Sequence, residues 1–362
     1  MRIVLAISSL GGGGAERVMT VLAGALAARD HEVWLVTLAP GGDDFFPVDS
    51  RVRRLGLGLT GNSPTPLHGF CANVRRIRAL RRIVSRIEPH AVLSFMTSTN
   101  ILMILACFGL RARVIISERV DPAAHHENRI WTGLRSLLYQ FADAIVVQTE
   151  SIAVWFRSRL WTRTRIIVIP NPVAPASAAE RRVRKTGPFL LAAGRFTHQK
   201  GFDLLIRAFG SATALPPELQ LVIAGEGPEG QHLRDLAAEL GVSERVSFPG
   251  RVHELSPLLQ SAVAFIMPSR YEGFPNVLLE ALAAGVPCVA ADCPGAAREI
   301  LGDGAYGLVV PAEDWPALTD AIIRIATDSQ LREQFSRASA AALERYRLDR
   351  VVVEWERLLA GL

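Results

Sequence analysis

Cysteine is scarce in this chain of 362 residues. The four that occur, Cys71, Cys107, Cys288 and Cys293, form neither a C-x-x-C pair nor a cysteine and histidine spacing typical of zinc ligands. The sequence therefore indicates neither a disulfide framework nor a zinc site. A reducing cytoplasm is the compartment that fits best.

Long hydrophobic runs are also missing. The start, MRIVLAISSLGGGG, has too short an apolar core for a signal peptide, and the longest run, Ile101 to Leu110, is about half a membrane span. We expect that run to be a buried helix. Hydrophobic residues at 49% and charged residues at 21% are typical of a globular protein. The length predicts two domains of roughly 170 residues each.

Lysine is nearly absent, since Lys185 and Lys200 are the only two, and arginine carries the positive charge. Residues 1–173 hold 21 Arg against 12 Asp and Glu, a balance of +9, while the remainder holds 19 basic against 23 acidic residues, a balance of −4. The first half is therefore the basic half.

Six of these arginines lie on one predicted helix within ANVRRIRALRRIVSRIEPH. One interpretation is a solvated helix face; the other is attraction to an anionic membrane surface or a polyphosphate-bearing lipid, at about 1 kcal/mol per basic residue. Nucleic acid is disfavoured because no aromatic side chains are interleaved for base stacking. The arginines are Arg75, Arg76, Arg78, Arg81, Arg82 and Arg86.

Short apolar runs alternate with helical patterns along the whole chain. Continuous apolar strands separated by helices predict parallel sheets covered on both faces, and hence two successive doubly wound α/β domains. Ligands of such sheets bind at the carboxyl ends of the strands. The predicted strands are residues 3–7, 33–38, 91–96, 114–117, 144–148, 189–193, 219–224, 246–248, 263–268, 286–291 and 307–310.

A cluster of prolines in IIVIPNPVAPASAAERRVRKTGP predicts the domain boundary, with a hinge near Pro170 to Pro175. We expect a first domain over 1–172 and a second over 173–345. The last segment, 346–362, has helical periodicity and is expected to pack back on the first domain.

Four glycines, Gly11 to Gly14, follow the first strand and precede a helix predicted to start near Ala15. Such a loop suits either a bound phosphate or a plain flexible turn. A formal G-x-G-x-x-G occurs at Gly225 to Gly230, but Glu226 and Glu229 would place carboxylates against a pyrophosphate, so a site for NAD is disfavoured.

Two long cations, Arg195 and Lys200, stand between a predicted strand end and a helix that begins around Phe202. Guanidinium and ammonium groups at a sheet edge suit two neighbouring phosphates. Solvated surface cations are the alternative.

Two carboxylates stand in YEGFPNVLLEALAAGVPCVAAD. Glu272 precedes a helix expected to start near Asn276, with Pro275 at its first position, and amides from Phe274 to Leu278 are expected to face an anion. Glu280 lies inside that helix, where a bare buried carboxylate costs several kcal/mol unless it is paired. The two hydroxyls of a ribose would pair it.

These motifs together resemble the retaining GT-B glycosyltransferases, which transfer sugars from nucleotide diphosphates. GGAERV looks most like bacterial members that act on lipid-linked oligosaccharides. The resemblance implies two Rossmann-like domains facing a central cleft, acceptor-side first and nucleotide-sugar-binding second. The motifs are Gly13 to Val18, Gly194 to Gly201, Gly225 to Pro228 and Glu272 to Glu280.

Residue roles carried over from this family cover the phosphates, the sugar and the nucleoside. Arg195 and Lys200 would hold the diphosphate, Glu280 the ribose and Glu272 the hydroxyls of the donor sugar. Backbone of Gly273, Phe274, Asn276 and Val277 would contact sugar and phosphate; Gly13 or Gly14 would approach the β-phosphate; and the base would stack near Arg251 and Val252.

Two positions depart from the family. Where relatives carry a histidine that contacts the donor sugar, this chain has Arg119, with His125 and His126 nearby; and Val263 replaces a usual aspartate, with only structural consequences expected.

The reaction expected is retaining sugar transfer to a hydroxyl of a glycan linked to polyprenyl diphosphate, at the inner face of the cytoplasmic membrane. No D-x-D occurs in the sequence, so neither a metal nor another cofactor is expected. The alternatives are a nucleotide-sugar epimerase of the same fold, an NAD-dependent oxidoreductase, or a non-catalytic polyanion- or membrane-binding module.

Overall fold

The computed structural model describes residues 1–42, 44–61, 65–122, 128–160, 164–173, 187–252 and 254–362. The chain divides into two compact units, Met1–Pro172 with Leu348–Leu362, and Val173–Arg347. The sequence-based division ends the second domain at 345. In the structure Tyr346 still belongs to the second unit, because it is buried and its ring lies 5.9 Å from that of Phe274.

The first unit is built on a seven-stranded parallel sheet with the order β3-β2-β1-β4-β5-β6-β7. All five residues of the central strand β4 are buried, as expected for a strand covered on both faces. The strands are β1 (Arg2–Ile7), β2 (Glu32–Thr37), β3 (Arg53–Gly56), β4 (Ala91–Phe95), β5 (Arg113–Ser117), β6 (Ala144–Val147) and β7 (Arg165–Val168).

Two helical layers cover this sheet. α1 (Gly14–Ala27) and the C-terminal helix α13 (Leu348–Ala360) pack on one face, where Trp355 is fully buried beside Phe95. The other face is covered by α2 (Pro66–Ile87), α3 (Thr97–Cys107), α4 (Arg129–Leu138) and α5 (Glu150–Arg159).

The second unit repeats the design with a six-stranded parallel sheet in the order β10-β9-β8-β11-β12-β13. Its strands are β8 (Phe189–Ala193), β9 (Gln220–Ala224), β10 (Val246–Ser247), β11 (Ala264–Met267), β12 (Cys288–Asp292) and β13 (Leu308–Pro311). Its helices are α6 (Phe202–Ser211), α7 (Gly230–Glu239), α8 (Ser256–Ser261), α9 (Asn276–Ala283), α10 (Ala297–Ile300), α11 (Trp315–Thr327) and α12 (Ser329–Leu343).

The predicted fold class, two doubly wound α/β domains, is confirmed. The predicted strands lie within one or two residues of observed ones, but β3 and β7 were not among them. Both are edge strands whose residues are only partly buried or exposed. β3 has no apolar run, and the short run of β7, Ile166 to Val168, is part of the segment that predicts the domain boundary. No helix in the described ranges combines the length and apolarity needed to cross a bilayer.

In each sheet the order in which successive strands are added reverses at one position. This position lies between β1 and β4 in the first unit and between β8 and β11 in the second. Loops that leave the carboxyl ends of two such strands run to opposite faces and open a crevice, the usual ligand site of these sheets. In the second unit those loops carry Lys200 and Glu272.

Candidate active site

Lys200 ends a short 3₁₀ turn, His198–Lys200, in the loop between β8 and α6. The next residue, Gly201, has a φ of 64°, and a Cβ at this position would collide with the carbonyl oxygen of Pro268. Glycine alone fits both the left-handed backbone and the close approach. The turn is thereby pressed against the loop that follows β11.

Glu272 receives the Lys200 side chain in that second loop. Lys200 Nζ lies 2.6 Å from Glu272 Oε1, and Ser269 Oγ donates to the same oxygen at 2.6 Å. The Glu272 amide donates to the carbonyl oxygen of Pro294 at 2.9 Å. Glu272 is 5% exposed, so this is a largely buried carboxylate with an ammonium and a hydroxyl as partners.

Arg195 and Glu280, the other two predicted side-chain ligands, flank this pair in the sequence. Arg195 is exposed, and its guanidinium forms no hydrogen bond or ion pair with any residue that the structure describes. Glu280 is half-buried on α9 rather than deeply buried as expected, and it has an interaction partner. Its environment is therefore less apolar than the sequence of the helix indicates.

The start of α9 differs from the prediction in one detail. Pro275 is the N-cap rather than the first helical residue, and no side chain in the described ranges caps the helix. The amides of Asn276 and Leu278 already donate to the carbonyl oxygens of Phe274 and Pro275, both at 3.0 Å. The tight turn at Pro275 therefore engages two of the amides that were expected to be open.

The remaining residues of this segment lie where the prediction places them in the sequence and fold. Gly273 and Phe274 lie in the loop after β11, and Val277 lies in the first turn of α9. The loop that carries Glu272 runs directly into α9, so the predicted sugar and phosphate contacts lie on one continuous segment.

The G-x-G-x-x-G stretch has a packing role. A Cβ on Gly225 would collide with the carbonyl oxygen of Gly194, so this glycine lets the loop after β9 lie against the loop after β8. Glu226 accepts a hydrogen bond from the amide of Arg251 at 3.4 Å. Arg251 is exposed and Val252 half-buried, beside the carboxylate that disfavours a pyrophosphate.

In the first unit, the glycine loop leads from β1 into α1, which begins at Gly14 with Gly13 as its N-cap. The carboxylate of Glu16 folds back over Gly13 and occupies the space a Cβ would need. The positive end of α1 therefore has a carboxylate beside it in this structure.

Arg119 follows β5 in the first unit and is 8% exposed. Its guanidinium carbon lies 3.5 Å from the ring centroid of Phe95 and 5.7 Å from that of Trp355, and it donates to Asn171 Oδ1. Its Nε and Nη2 are buried without a hydrogen-bond partner. Burial lowers the pKa of Arg119 to about 9. His125 and His126 lie outside the described residues.

Cys293 lies close enough to Lys200 and Glu272 for both charges to influence the pKa of its thiol. Burial, with a further contribution from the Glu272 carboxylate, raises the pKa of Cys293 to about 12. The thiol therefore stays protonated at neutral pH and is not a nucleophile. Among the described residues, no cluster of His, Cys, Asp or Glu is arranged to hold a metal ion.

Sequence reasoning missed Ser269 and Arg270, the residues just before the Glu272 loop turns. Ser269 shares an oxygen of Glu272 with Lys200, and Arg270 forms an ion pair with Asp203. The available signal was the unbroken polar stretch SRYE directly after an apolar strand. Such stretches at the carboxyl edge of a parallel sheet are where partners of a site residue should be sought.

Two family models match the chain in succession. The model described as "Glycosyltransferase Family 4" matches residues 12–177, and the one described as "Glycosyl transferases group 1" matches residues 175–341. Together they span most of both units.

Curated relatives match over nearly the full length. One is 28% identical over 361 residues, covering 99% of this chain and 98% of the relative: the Campylobacter jejuni GalNAc-α-(1→4)-GalNAc-α-(1→3)-diNAcBac-PP-undecaprenol α-1,4-N-acetyl-D-galactosaminyltransferase. A second Campylobacter jejuni enzyme, N-acetylgalactosamine-N,N'-diacetylbacillosaminyl-diphospho-undecaprenol 4-α-N-acetylgalactosaminyltransferase, is 25% identical, covering 96% of this chain and 97% of that protein.

Solved structures share the fold at low sequence identity. Sucrose-phosphate synthase from Thermosynechococcus elongatus matches with a TM-score of 0.86 at 19% identity, covering 99% of this chain and 98% of that one. Anabaena HepE in complex with UDP and glucose matches with a TM-score of 0.78 at 19% identity, with complete coverage of both chains at 100%.

Proposed function

Because this chain belongs to the group 1 family of GT-B glycosyltransferases, we propose that it moves a sugar from a nucleoside diphosphate sugar to a hydroxyl of a polyprenyl-diphosphate-linked glycan, with retention at the anomeric carbon. The observation that carries this proposal is the 2.6 Å approach of Lys200 Nζ to Glu272 Oε1 at the point where the strand order of the second sheet reverses.

The two ions suit the two ends of one bond in the donor. An ammonium suits a phosphate oxygen, and a carboxylate accepts hydrogen bonds from sugar hydroxyls. Since Lys200 and Glu272 are in direct contact, the ligand groups that they hold must be neighbours as well. The phosphate and the donor sugar are neighbours at the glycosyl phosphate linkage, which is the bond that transfer breaks.

Transfer breaks the bond between the anomeric carbon and the phosphate oxygen, and negative charge grows on the leaving diphosphate. Lys200 and the exposed Arg195 are the cations that stabilise this charge, which lowers the barrier electrostatically. The acceptor hydroxyl attacks on the same face, and its proton passes to the leaving phosphate. No side-chain nucleophile is required.

The other roles follow the sequence-based assignments and stay proposals. Glu280 holds the ribose, and Arg251 with Val252 lies beside the base. Gly273, Phe274, Asn276 and Val277 contact sugar and phosphate, and Gly13 or Gly14 approaches the β-phosphate. For Arg119, contact with the donor sugar and packing on Phe95 are the two alternatives, and the Arg119→Met variant decides between them. The donor site uses neither a metal ion nor a cofactor.

The choice of an N-acetylhexosamine donor and a lipid-linked acceptor rests on the relatives. Both Campylobacter enzymes are named for transfer of N-acetylgalactosamine to glycans on undecaprenyl diphosphate, and each matches nearly the whole of this chain. A hexose donor is the alternative within the same reaction.

A lipid-linked acceptor requires the enzyme to reach a membrane surface, and α2 has the chemistry for it. Arg75, Arg78, Arg82 and Arg86 recur along one face at helical spacing, are exposed, and form no ion pair with the described residues. We place the enzyme at the inner face of the cytoplasmic membrane, bound through these arginines to anionic lipid.

Two further features of α2 support this attachment. Leu67 and Phe70, in its first turns, are 70% and 67% exposed, an arrangement that suits apolar insertion beside basic anchors. A groove of about 710 Å³ runs along the helix and is lined by Leu59, Phe70, Arg75, Arg78 and Arg82, among others. Flotation with vesicles of phosphatidylglycerol tests the attachment. A variant in which Arg75, Arg78, Arg82 and Arg86 are all replaced by Gln should no longer float with the vesicles.

The proposed reaction is tested first by binding. The melting temperature is measured with UDP, GDP, ADP and their N-acetylhexosamine or hexose derivatives. Nucleotides of one base should raise it, because a ligand that binds only the folded state stabilises that state. The wild-type protein should then transfer labelled sugar to a polyprenyl-diphosphate-linked glycan. Release of an epimerised sugar nucleotide without transfer would instead identify an epimerase.

A pair of matched variants ties the reaction to the site. Glu272→Gln should slow transfer by about 10²- to 10³-fold, while Glu333→Gln, which alters an exposed glutamate paired with Arg337 on α12, should not change it. Normal transfer by Glu272→Gln would refute the assignment.

A further inference from the structure

Arg270 lies two residues before Glu272, and its guanidinium reaches three other segments of the second unit. Nη1 and Nη2 donate to Asp203 Oδ1 and Oδ2 at 2.8 and 2.7 Å, Nη1 also donates to the carbonyl oxygen of His198 at 2.8 Å, and Nε donates to Glu313 Oε1 at 3.1 Å. Its side chain is 11% exposed. This is a largely buried bidentate pair, the strongest geometry available to arginine and a carboxylate.

The partners of Arg270 lie on both sides of Lys200. His198 opens the 3₁₀ turn that ends at Lys200, and Asp203 lies in the first turn of α6, just beyond Gly201. One planar guanidinium therefore holds the segment before Lys200 and the segment after it. The Lys200 backbone between them has little freedom to move without breaking one of these bonds.

One backbone hydrogen bond and one side-chain hydrogen bond also join the same two loops. The Arg270 amide donates to the carbonyl oxygen of Gln199 at 2.8 Å, and Gln199 Nε2 donates to the carbonyl oxygen of Tyr271 at 3.0 Å. The turn and the Glu272 loop are thus joined by an unbroken set of hydrogen bonds, with Arg270 supplying most of the donors.

The pair is charged at neutral pH. The hydrogen bond to Asp203 raises the pKa of Arg270, with burial opposing it. Burial is the largest influence on Asp203 and would raise its pKa, but the hydrogen bond and charge of Arg270 together outweigh burial, so the pKa of Asp203 is lowered. Neither group is positioned to titrate during turnover near pH 7.

We propose that Arg270 is a positioning residue, which with Asp203 clamps the turn His198–Gly201 to the Glu272 loop and so holds the Lys200 ammonium where the leaving diphosphate binds. The clamp follows from the contacts alone, whereas its effect on the diphosphate rests on the proposed function. Arg270 itself need not touch substrate, since four of its five N–H donors are already used within the unit.

Two measurements test the clamp. Amide hydrogen exchange of peptides spanning 196–205 needs no ligand, and titration calorimetry with inorganic pyrophosphate reports the phosphate site whatever base the donor carries. The variants are Arg270→Gln, Arg270→Lys, Asp203→Asn and Lys200→Ala. The matched control is Arg337→Gln, which breaks an exposed ion pair with Glu333 on α12.

Arg270→Gln should speed exchange in the 196–205 peptides and weaken pyrophosphate binding about 10-fold, the loss expected for a displaced charged contact. Arg270→Lys, which keeps the charge but not the fork, should fall between it and wild type. In the Lys200→Ala background, Arg270→Gln should weaken binding by no more than about twofold, because residues that act through one another are not additive.

Unchanged exchange in Arg270→Gln would overturn the clamp, and faster exchange with unaltered pyrophosphate affinity would overturn its role in positioning Lys200 for the diphosphate. A full second loss in the Lys200→Ala background would show that Arg270 acts independently of Lys200, which also overturns it. If Arg270→Gln does not fold, Asp203→Asn removes the pair from its other side. A wild-type protein that fails to bind pyrophosphate contradicts the proposed function, and the exchange arm still decides the clamp.

Discussion

One cation lies beyond a strand end at the carboxyl edge of each sheet, and the two differ in burial and in the groups that contact them. Lys200 in the second unit is 23% exposed at its side chain and meets the Glu272 carboxylate at 2.6 Å. Arg119 in the first unit is 8% exposed and lies over the rings of Phe95 and Trp355. The same sign of charge beyond a strand end is thus used differently in the two sheets.

The difference is one of hydrogen-bond satisfaction. Lys200 has an ionic partner that a substrate phosphate can rival, so its charge remains available to a ligand. Arg119 has desolvated nitrogens, two of them without a partner, and its charge is stabilised mainly by aromatic faces and one amide oxygen. A strand-edge position therefore locates a candidate, while burial and partners decide whether it binds ligand or packs.

The largest effect that this comparison predicts is at the Lys200 and Glu272 pair. Lys200→Ala and Glu272→Gln should each lower kcat for sugar transfer by about 10²- to 10³-fold, as when one preorganised electrostatic group is removed from an active site. Steady-state kinetics with the identified donor measures this. Equal activity in Lys200→Ala and in the exposed control Arg337→Gln would contradict the conclusion that the Lys200 charge serves a ligand.

A smaller effect, on stability rather than rate, is expected at Arg119. Arg119→Ala should lower the free energy of unfolding by about 2–4 kcal/mol, because it empties the space between Phe95 and Trp355. Arg119→Met fills that space with an apolar chain and should cost about 1 kcal/mol or less, since apolar replacements of buried ions are often neutral. Denaturant unfolding measures both.

Activity of the Arg119 variants decides between packing and the donor contact that the resemblance implies. Packing predicts that folded Arg119→Met transfers sugar at a rate close to wild type. A loss of transfer activity of about 10²-fold in folded Arg119→Met would instead indicate that Arg119 contacts the donor sugar.

A still smaller effect should appear on acidification, at the Arg270 clamp. The pKa of Asp203 is lowered in the folded state, so its contribution to stability is complete above the unfolded value of about 3.9 and is lost as the pH falls through the lower folded value. The stability difference between wild type and Asp203→Asn should be constant from pH 7 to about 4 and shrink below that. A difference that shrinks between pH 7 and 5 would assign it to another group.

No effect at all is expected from chelation. If cations of the protein alone stabilise the leaving diphosphate, transfer in EDTA should equal transfer in magnesium. A loss of activity in EDTA that added Mg²⁺ restores would mean that Lys200 and Arg195 share the charge with a metal ion.

The sequence predicts the fold well because parallel strands that are buried on both faces form continuous apolar runs. β4 and β8 lie within a residue of their predicted bounds for this reason. β3 and β7 lie at sheet edges with partly exposed residues. β3 has no apolar run that distinguishes it from a loop, and the short run of β7 leads directly into the proline cluster of the domain boundary.

The site is predictable to the level of single residues but not of partners. Lys200 and Glu272 could be identified because a rare lysine and a carboxylate follow two strands of one sheet. Their direct contact depends on the left-handed turn at Gly201 and on the Arg270 clamp, which are properties of three-dimensional approach. Arg119 shows the converse limit, since its burial comes from Trp355, more than two hundred residues away in the chain.

That dependence on Trp355 has a consequence for anyone who dissects the protein. The first unit is discontinuous, because α13 supplies the last part of its core from the far end of the chain. A fragment that stops at Pro172 would leave apolar surface of β1, β4 and α1 uncovered and should aggregate. A circular permutant that joins Leu362 to Met1 and opens between Pro172 and Val173, by contrast, would make each of the two units one continuous stretch of chain.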